Sequence, residues 1–188
     1  MRIIAGKARN LELNVPEGMG VRPTSGRGRK ALLDSLGDLT DAAVLDLFAG
    51  SGAFALECAS RGAAEVTLVE LSSAHLAVIR ENCLKVQRTG VETQLNTLQG
   101  DALAVSLYSH VAADLIFADP PYAESGRFFR ELTLNPDFQS AFEGALLVWE
   151  IPDTPGARGD FINAEAFDDG TLRNLGGVWF FIGTVKKL

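Results

Sequence analysis

Two short stretches carry side chains whose types and spacing suit chemistry: Asp119-Pro120-Pro121-Tyr122 and Asp46-Leu47-Phe48-Ala49-Gly50-Ser51-Gly52. In the first, consecutive prolines fix an extended turn and delete two N–H donors. Their carbonyls remain as acceptors beside the Asp119 carboxylate. Such acceptors suit a planar exocyclic amine on a nucleobase, a poor nucleophile because its lone pair is delocalised into the ring. Holding both amine hydrogens favours sp³ character and aims the lone pair at an electrophile. Tyr122 can stack on the base, a contact worth ~1–3 kcal/mol. The competing reading is a rigid surface turn with a half-buried tyrosine.

In the second stretch, glycines just past a buried strand let the backbone turn tightly and approach a ligand. The following helix points its free N–H groups into the same crevice. Glu70 stands 20 residues beyond Gly50, at the tip of the next strand, where a carboxylate can accept both hydroxyl hydrogens of a ribose. Gly50-Ser-Gly52-Ala-Phe-Ala55 also satisfies the dinucleotide fingerprint. Asp46 favours a different ligand, because a carboxylate there would repel phosphates. S-adenosylmethionine has a sulfonium, an ammonium and no phosphate. Phe48, Ser51, Leu71 and Ala102, beside these positions, complete the expected cofactor contacts. Two alternatives stay open: Asp46 as a cap on the loop's backbone N–H groups, and Asp101 as a helix cap rather than a partner of the adenine amine. An NAD oxidoreductase would need a proton relay, for which neither His75 nor His110 is suitably placed. Both histidines are assigned no chemistry.

The elements that must position these residues follow from periodicity. Apolar strands are expected at residues 43–48, 65–69, 93–98, 113–118 and 145–151, with weaker ones at 160–166 and 178–185. Helices are expected at 27–36, 53–60 and 73–85, the last capped by Ser72, with a short one at 102–108 and two pieces after Tyr122. Residues 2–5 and 10–15 read as a small hairpin or extended arm, and 16–20 as a turn. Strands alternating with helices predict an α/β, Rossmann-like, doubly wound, mostly parallel seven-stranded sheet ending in an antiparallel hairpin. A small amino-terminal arm precedes it. The expected division is 1–40, a basic arm and helix, and 41–188, the catalytic domain.

The whole chain of 188 residues has a net charge of −7, which misleads until it is divided. Residues 1–30 hold Arg2, Lys7, Arg9, Arg22, Arg27, Arg29 and Lys30 against Glu12 and Glu17, a net +5; the remainder is −12. A basic arm on an acidic body suits a phosphate-contacting segment, or equally a solvated tail. No apolar run is long enough to span a membrane or serve as a signal peptide. Cys58 and Cys83 read as buried thiols of a reducing cytoplasm, not as metal ligands.

These motifs resemble the class I methyltransferases, with Asp119–Tyr122 matching their amino-methylating signature [DNS]-P-P-[YF]. Arg2-Ile-Ile-Ala-Gly-Lys-Ala-Arg9, Val21-Arg-Pro-Thr24, residues 45–53 and Ser60-Arg-Gly-Ala63 together look like the RsmD family. The resemblance runs from Arg2 to about Ile151, with a weaker echo at 173–181. It implies methylation of a guanine N2 in 16S ribosomal RNA of an assembling small subunit. The chain itself is expected to be a cytoplasmic monomer without a metal. Gly50, Gly52 and Glu70 would bind S-adenosylmethionine, with Asp101 at its adenine. Asp119 and Tyr122 would hold the base, and Arg22, Arg27 and Arg29 would face the RNA. Where the family reads R-P-T-x-D-R-V-R-E, this chain has Arg22-Pro-Thr-Ser-Gly26-Arg-Gly28-Arg-Lys30, so poor order is expected at 25–28. Alternatives are adenine N6 in DNA, another RNA site, or a non-catalytic, cofactor-binding ribosome assembly factor.

Overall fold

The short apolar runs become the central strands of one sheet, buried between two layers of helices. The computed structural model describes residues 1–17, 26–154, 156–161 and 165–187. Its strands are β1 (Ala43–Asp46), β2 (Glu65–Glu70), β3 (Gln94–Gln99), β4 (Leu115–Ala118), β5 (Leu146–Ile151), β6 (Phe167–Leu175) and β7 (Val178–Val185). They form one sheet in the order β3-β2-β1-β4-β5-β7-β6. The first five are parallel, and β7 runs antiparallel to both β5 and β6. The Rossmann-like sheet with its closing hairpin is therefore as the strand pattern predicts.

Helices cover both faces. Val44, Val66, Leu68 and Phe117 point towards α1 (Gly26–Leu36), α2 (Ala53–Ser60) and α3 (Ser73–Gln87). Leu45, Ile116, Leu147 and Trp149 point to the other layer, built on α4 (Ser125–Thr133) and α5 (Pro136–Ala141). This alternation is the period-two geometry of a strand buried on both faces. Ser72 caps α3 by accepting the His75 N–H at 3.3 Å. Cys58 and Cys83 are both buried.

The arm is packed into the body rather than trailing from it. Arg2 and Glu12 form one antiparallel bridge, and Ile3, Ala8 and Leu13 enter the same core as α1 and α2. Its anchor is Glu57 of α2, fully buried, which accepts the N–H groups of Ile4 at 2.7 Å and Ala5 at 2.9 Å. Arg61 completes the pairing at 3.2 Å, and Arg29 approaches to 4.0 Å. Gly6 is required where the arm crosses α2: at φ +77°, a Cβ there would lie 1.8 Å from the Ser60 carbonyl oxygen.

Two expectations need correction, and a third falls partly outside the described residues. The helix at 102–108 shrinks to one 3₁₀ turn, Val105–Leu107, because the Tyr108 hydroxyl folds back to donate to the Ala102 carbonyl. Of the strand placed at 160–166, residues 162–164 lie outside the described residues, 160–161 close the 3₁₀ turn Ala157–Phe161, and the strand begins only at Phe167. That strand is polar and exposed along most of its length, so it carries no apolar alternation. The segment expected to be poorly ordered begins at Ser25, which with Arg22 and most of the turn at 16–20 lies outside the described residues. Gly26–Gly28 form the first turn of α1. Gly28 is buried against the β6–β7 turn, where a Cβ on Gly176 would stand 2.7 Å from the Arg27 carbonyl oxygen and 3.0 Å from the Gly28 Cα.

Removing one partner from a buried ionic cluster leaves an uncompensated charge, at a typical cost of about 3–5 kcal/mol. Glu57→Ala is expected to lower the unfolding free energy by roughly that amount in urea titrations. Arg2→Ala, which breaks an exposed pair with Glu12 at 2.9 Å, is expected to change it by about 0.5 kcal/mol or less.

Candidate active site

The two chemistry-bearing stretches leave adjacent parallel strands at the same end. Asp46 is in register with Phe117, and the Leu47 N–H donates to the Phe117 carbonyl at 2.9 Å. Successive connections from β1 go to opposite sides of the sheet, so a crevice opens between β1 and β4. The tip of β2 joins it through the Ala49 N–H, 3.0 Å from the Val69 carbonyl, and the tip of β3 through the Gly100 N–H, 3.1 Å from the Glu70 carbonyl. The result is a cavity of about 970 Å³ with Gly50 and Glu70 in one wall and Asp119, Pro120, Pro121 and Tyr122 in another.

Glu70 is fixed from behind. Its Oε2 accepts the Gly50 N–H and its Oε1 the Ser72 N–H, both at 2.9 Å. Each oxygen keeps further acceptor capacity. Asp101 also lines the cavity, and its Oδ1 accepts the Leu103 N–H at 2.9 Å. It therefore caps the turn after β3, one of the two roles left open for it, while facing the space named in the other. Phe48 forms part of the floor, stacked on Phe128 at 5.9 Å and edge-on to Trp149 at 6.0 Å. The Tyr122 hydroxyl donates to Glu150 Oε1 at 3.0 Å. Glu150 is buried on β5, so the ring is held at its far end while its faces stay partly open.

The expected cofactor residues divide into two sets. Phe48, Gly50, Glu70, Leu71, Asp101 and Ala102 line the cavity; Asp46, Ser51 and Gly52 do not. Those three shape the loop from beneath. Gly52 adopts φ 76°, and a Cβ there would come within 3.0 Å of Leu68. Leu47, Ser72, His75, Gly100 and Phe128 also line the cavity and were not expected. Ser72 and His75 were legible as the first turn of the helix after Glu70, whereas Phe128 arrives from α4 with no local signal. His75, assigned no chemistry, stands beside the cavity's carboxylate, its Nδ1 3.5 Å from Glu70 Oε1.

The basic residues fare less uniformly. Arg9 and Arg27 are exposed. Arg2 pairs with Glu12 at 2.9 Å and Lys7 with Glu92 at 3.2 Å. Arg29 is a correction: only 2% exposed, it turns inward beside Glu57 and donates to the Arg2 carbonyl at 2.9 Å. Burial works against its charge and the Glu57 carboxylate sustains it. It orders the arm and cannot present itself to an outside polyanion.

Asp46 is buried, and its Oδ1 has no hydrogen-bond partner among the described residues. Burial pushes its carboxyl up to about 7, with the Glu70 charge adding to the rise and the N–H groups of Ala55 and Phe48 opposing it. Between an ordinary carboxyl value near 3.8 and about 7, the folded chain holds a proton that the unfolded chain has released. Stability from this group therefore falls as pH rises through that window, and the loss is complete above it. Asp46→Asn is expected to flatten this dependence, raising the melting temperature more at pH 8 than at pH 4.5 in paired thermal scans.

Several known proteins are similar to this chain. The protein called ribosomal RNA small subunit methyltransferase D in Escherichia coli K12 is 35% identical over 136 residues, covering 72% of this chain. The chain spans 65% of that relative's length. Among solved structures, hypothetical protein TTHA0928 of Thermus thermophilus superposes with a TM-score of 0.70 at 29% identity, covering 100% of this chain and 99% of the other. An RNA methyltransferase from Salinibacter ruber, solved with S-adenosyl-L-homocysteine, shares the fold with a TM-score of 0.62 at 18% identity, covering 89% and 95% of the two chains. The profile of the family described as "Conserved hypothetical protein 95" matches residues 1–154. By that match, which takes in the arm, the glycine loop and the Asp119–Tyr122 turn together, the chain belongs to the conserved hypothetical protein 95 family.

Proposed function

We propose that this protein transfers a methyl group from S-adenosylmethionine to the exocyclic N2 of a guanine in 16S ribosomal RNA of the small subunit. The observation that carries this reading is the sign of the cavity. Glu70, Asp101 and Asp119 line it, and among the described residues no lysine or arginine does. A pyrophosphate would meet like charge there, whereas an ammonium and a sulfonium would be attracted. The Glu70 carboxylate, pinned by two backbone N–H groups, suits the two hydroxyls of a ribose. The name of the Escherichia coli relative supports ribosomal RNA as the acceptor class.

The sulfonium supplies an already activated methyl group, so the protein's task is to position and desolvate. Asp119 and the carbonyls of its two prolines would accept the amine hydrogens and aim the lone pair across the cavity. Tyr122, tethered by its hydroxyl to Glu150, would offer a ring face to the base. Exposed Arg9 and Arg27 would meet phosphates, with Arg2 and Lys7 released to join them by exchange of their acidic partners.

The test is methyl incorporation from labelled cofactor into small subunits isolated from cells lacking this protein. Wild type is expected to label one guanine. Asp119→Asn is expected to lower kcat by about 10²-fold or more, with cofactor affinity within about threefold of wild type. Cofactor binding with no transfer to any particle would refute the enzymatic reading and leave a role in assembly.

A further inference from the structure

The buried side chain of Asn82, in the middle of α3, joins two segments distant in sequence. Its Oδ1 accepts the Asn14 N–H at 2.8 Å. Its Nδ2 donates to the Asn14 carbonyl at 2.9 Å and to the Ser51 carbonyl at 3.0 Å. The residue is 0% exposed. Both amide hydrogens and one acceptor position are thus engaged with main-chain atoms, one partner on the arm and one on the glycine loop. Only a side-chain amide satisfies this set, because a carboxylate would face two carbonyl oxygens and an aliphatic chain would leave all three groups unmet.

A further contact joins the same segments at Met1, whose sulfur also meets α1. The Ser51 hydroxyl and the Arg29 guanidinium both lie 3.5 Å from the Met1 sulfur. On the surface of α3, Lys85 donates to Asn14 Oδ1 at 2.6 Å, and Asn14 Nδ2 donates to Glu81 Oε2 at 3.0 Å. The arm therefore lies against the helix that supports the loop, and the loop's central carbonyl is held by the same amide that reads the arm's position. Gly52 follows directly, with its N–H 2.6 Å from the Ala49 carbonyl.

We propose that Asn82 is a positioning residue that couples the amino-terminal arm to the glycine loop, so that a polyanion engaging the arm changes the loop's grip on its ligand. This rests on reading the loop as the cofactor's. Coupling of this kind is reciprocal: ligand in the cavity must tighten the arm's hold on its own partner by the same factor.

The test uses the full chain and two arm variants that leave Asn82 and the cavity lining intact. Asn14→Pro deletes the N–H that bonds Asn82, while Asn14→Ala deletes only the exposed side-chain contacts. Hydrogen exchange is followed at Gly52 and in β5, and S-adenosyl-L-homocysteine binding by calorimetry. Asn14→Pro is expected to speed exchange at Gly52 about tenfold and weaken binding about tenfold, with β5 exchange unchanged and Asn14→Ala close to wild type. Asn82→Leu is expected to do the same to a larger degree. Wild-type exchange at Gly52 in Asn14→Pro overturns the proposal, as does faster exchange spread evenly through β5, the mark of a merely structural role. Should wild type bind no S-adenosyl-L-homocysteine, the cofactor reading fails, while the exchange pattern still decides the coupling.

Discussion

Everything in the site depends on the reversal of strand order between β1 and β4. A parallel sheet whose connections go one way from β1 and the other way from β4 must leave its strand ends uncovered at that seam. Leu47 bonded to Phe117 closes the bottom of the gap, and the loops that follow have nowhere to go but apart, around a shared space. No side chain is asked to build the cavity. Side chains tune what the topology already opens: Glu70 is locked to the loop it faces, the prolines stiffen the opposite rim, and Tyr122 is anchored through its hydroxyl to a strand further along.

The second organising element is the buried cluster on α2. Glu57 acts as an artificial strand partner for the arm, its two oxygens taking the N–H groups of Ile4 and Ala5 that a sheet would otherwise satisfy. Arginines are then needed to balance the carboxylate. This explains why Arg29 is spent inside the protein, and why counting charges along residues 1–30 overstates the surface they offer.

The glycine loop, Glu70 and the Asp119–Tyr122 turn were legible because each sits where a strand stops, and the stop is written in residue type: glycine, proline, an acid after an apolar run. The parallel strands were legible for the same reason. Phe128 and Glu150 were not, since each is delivered by an element whose own pattern says only that it is amphipathic or buried. Asn82 was hidden by its neighbours, lying between Ile79 and Val86 on an apolar face where a polar residue reads as a break in periodicity. Strand β6 was misplaced because an edge strand with one solvated face and a glycine in its middle loses the alternation that marks its companions. Arg29 was misassigned since sequence gives charge but not the direction in which a helix turns it.

Gly28 and Gly176 meet with almost no space between their backbones. A side chain at Gly176 could not be accommodated unless the first turn of α1 moved away. The amino-terminal helix and the carboxy-terminal hairpin are thus tied main chain to main chain, and bulk added at the distal turn would be felt at the root of the arm.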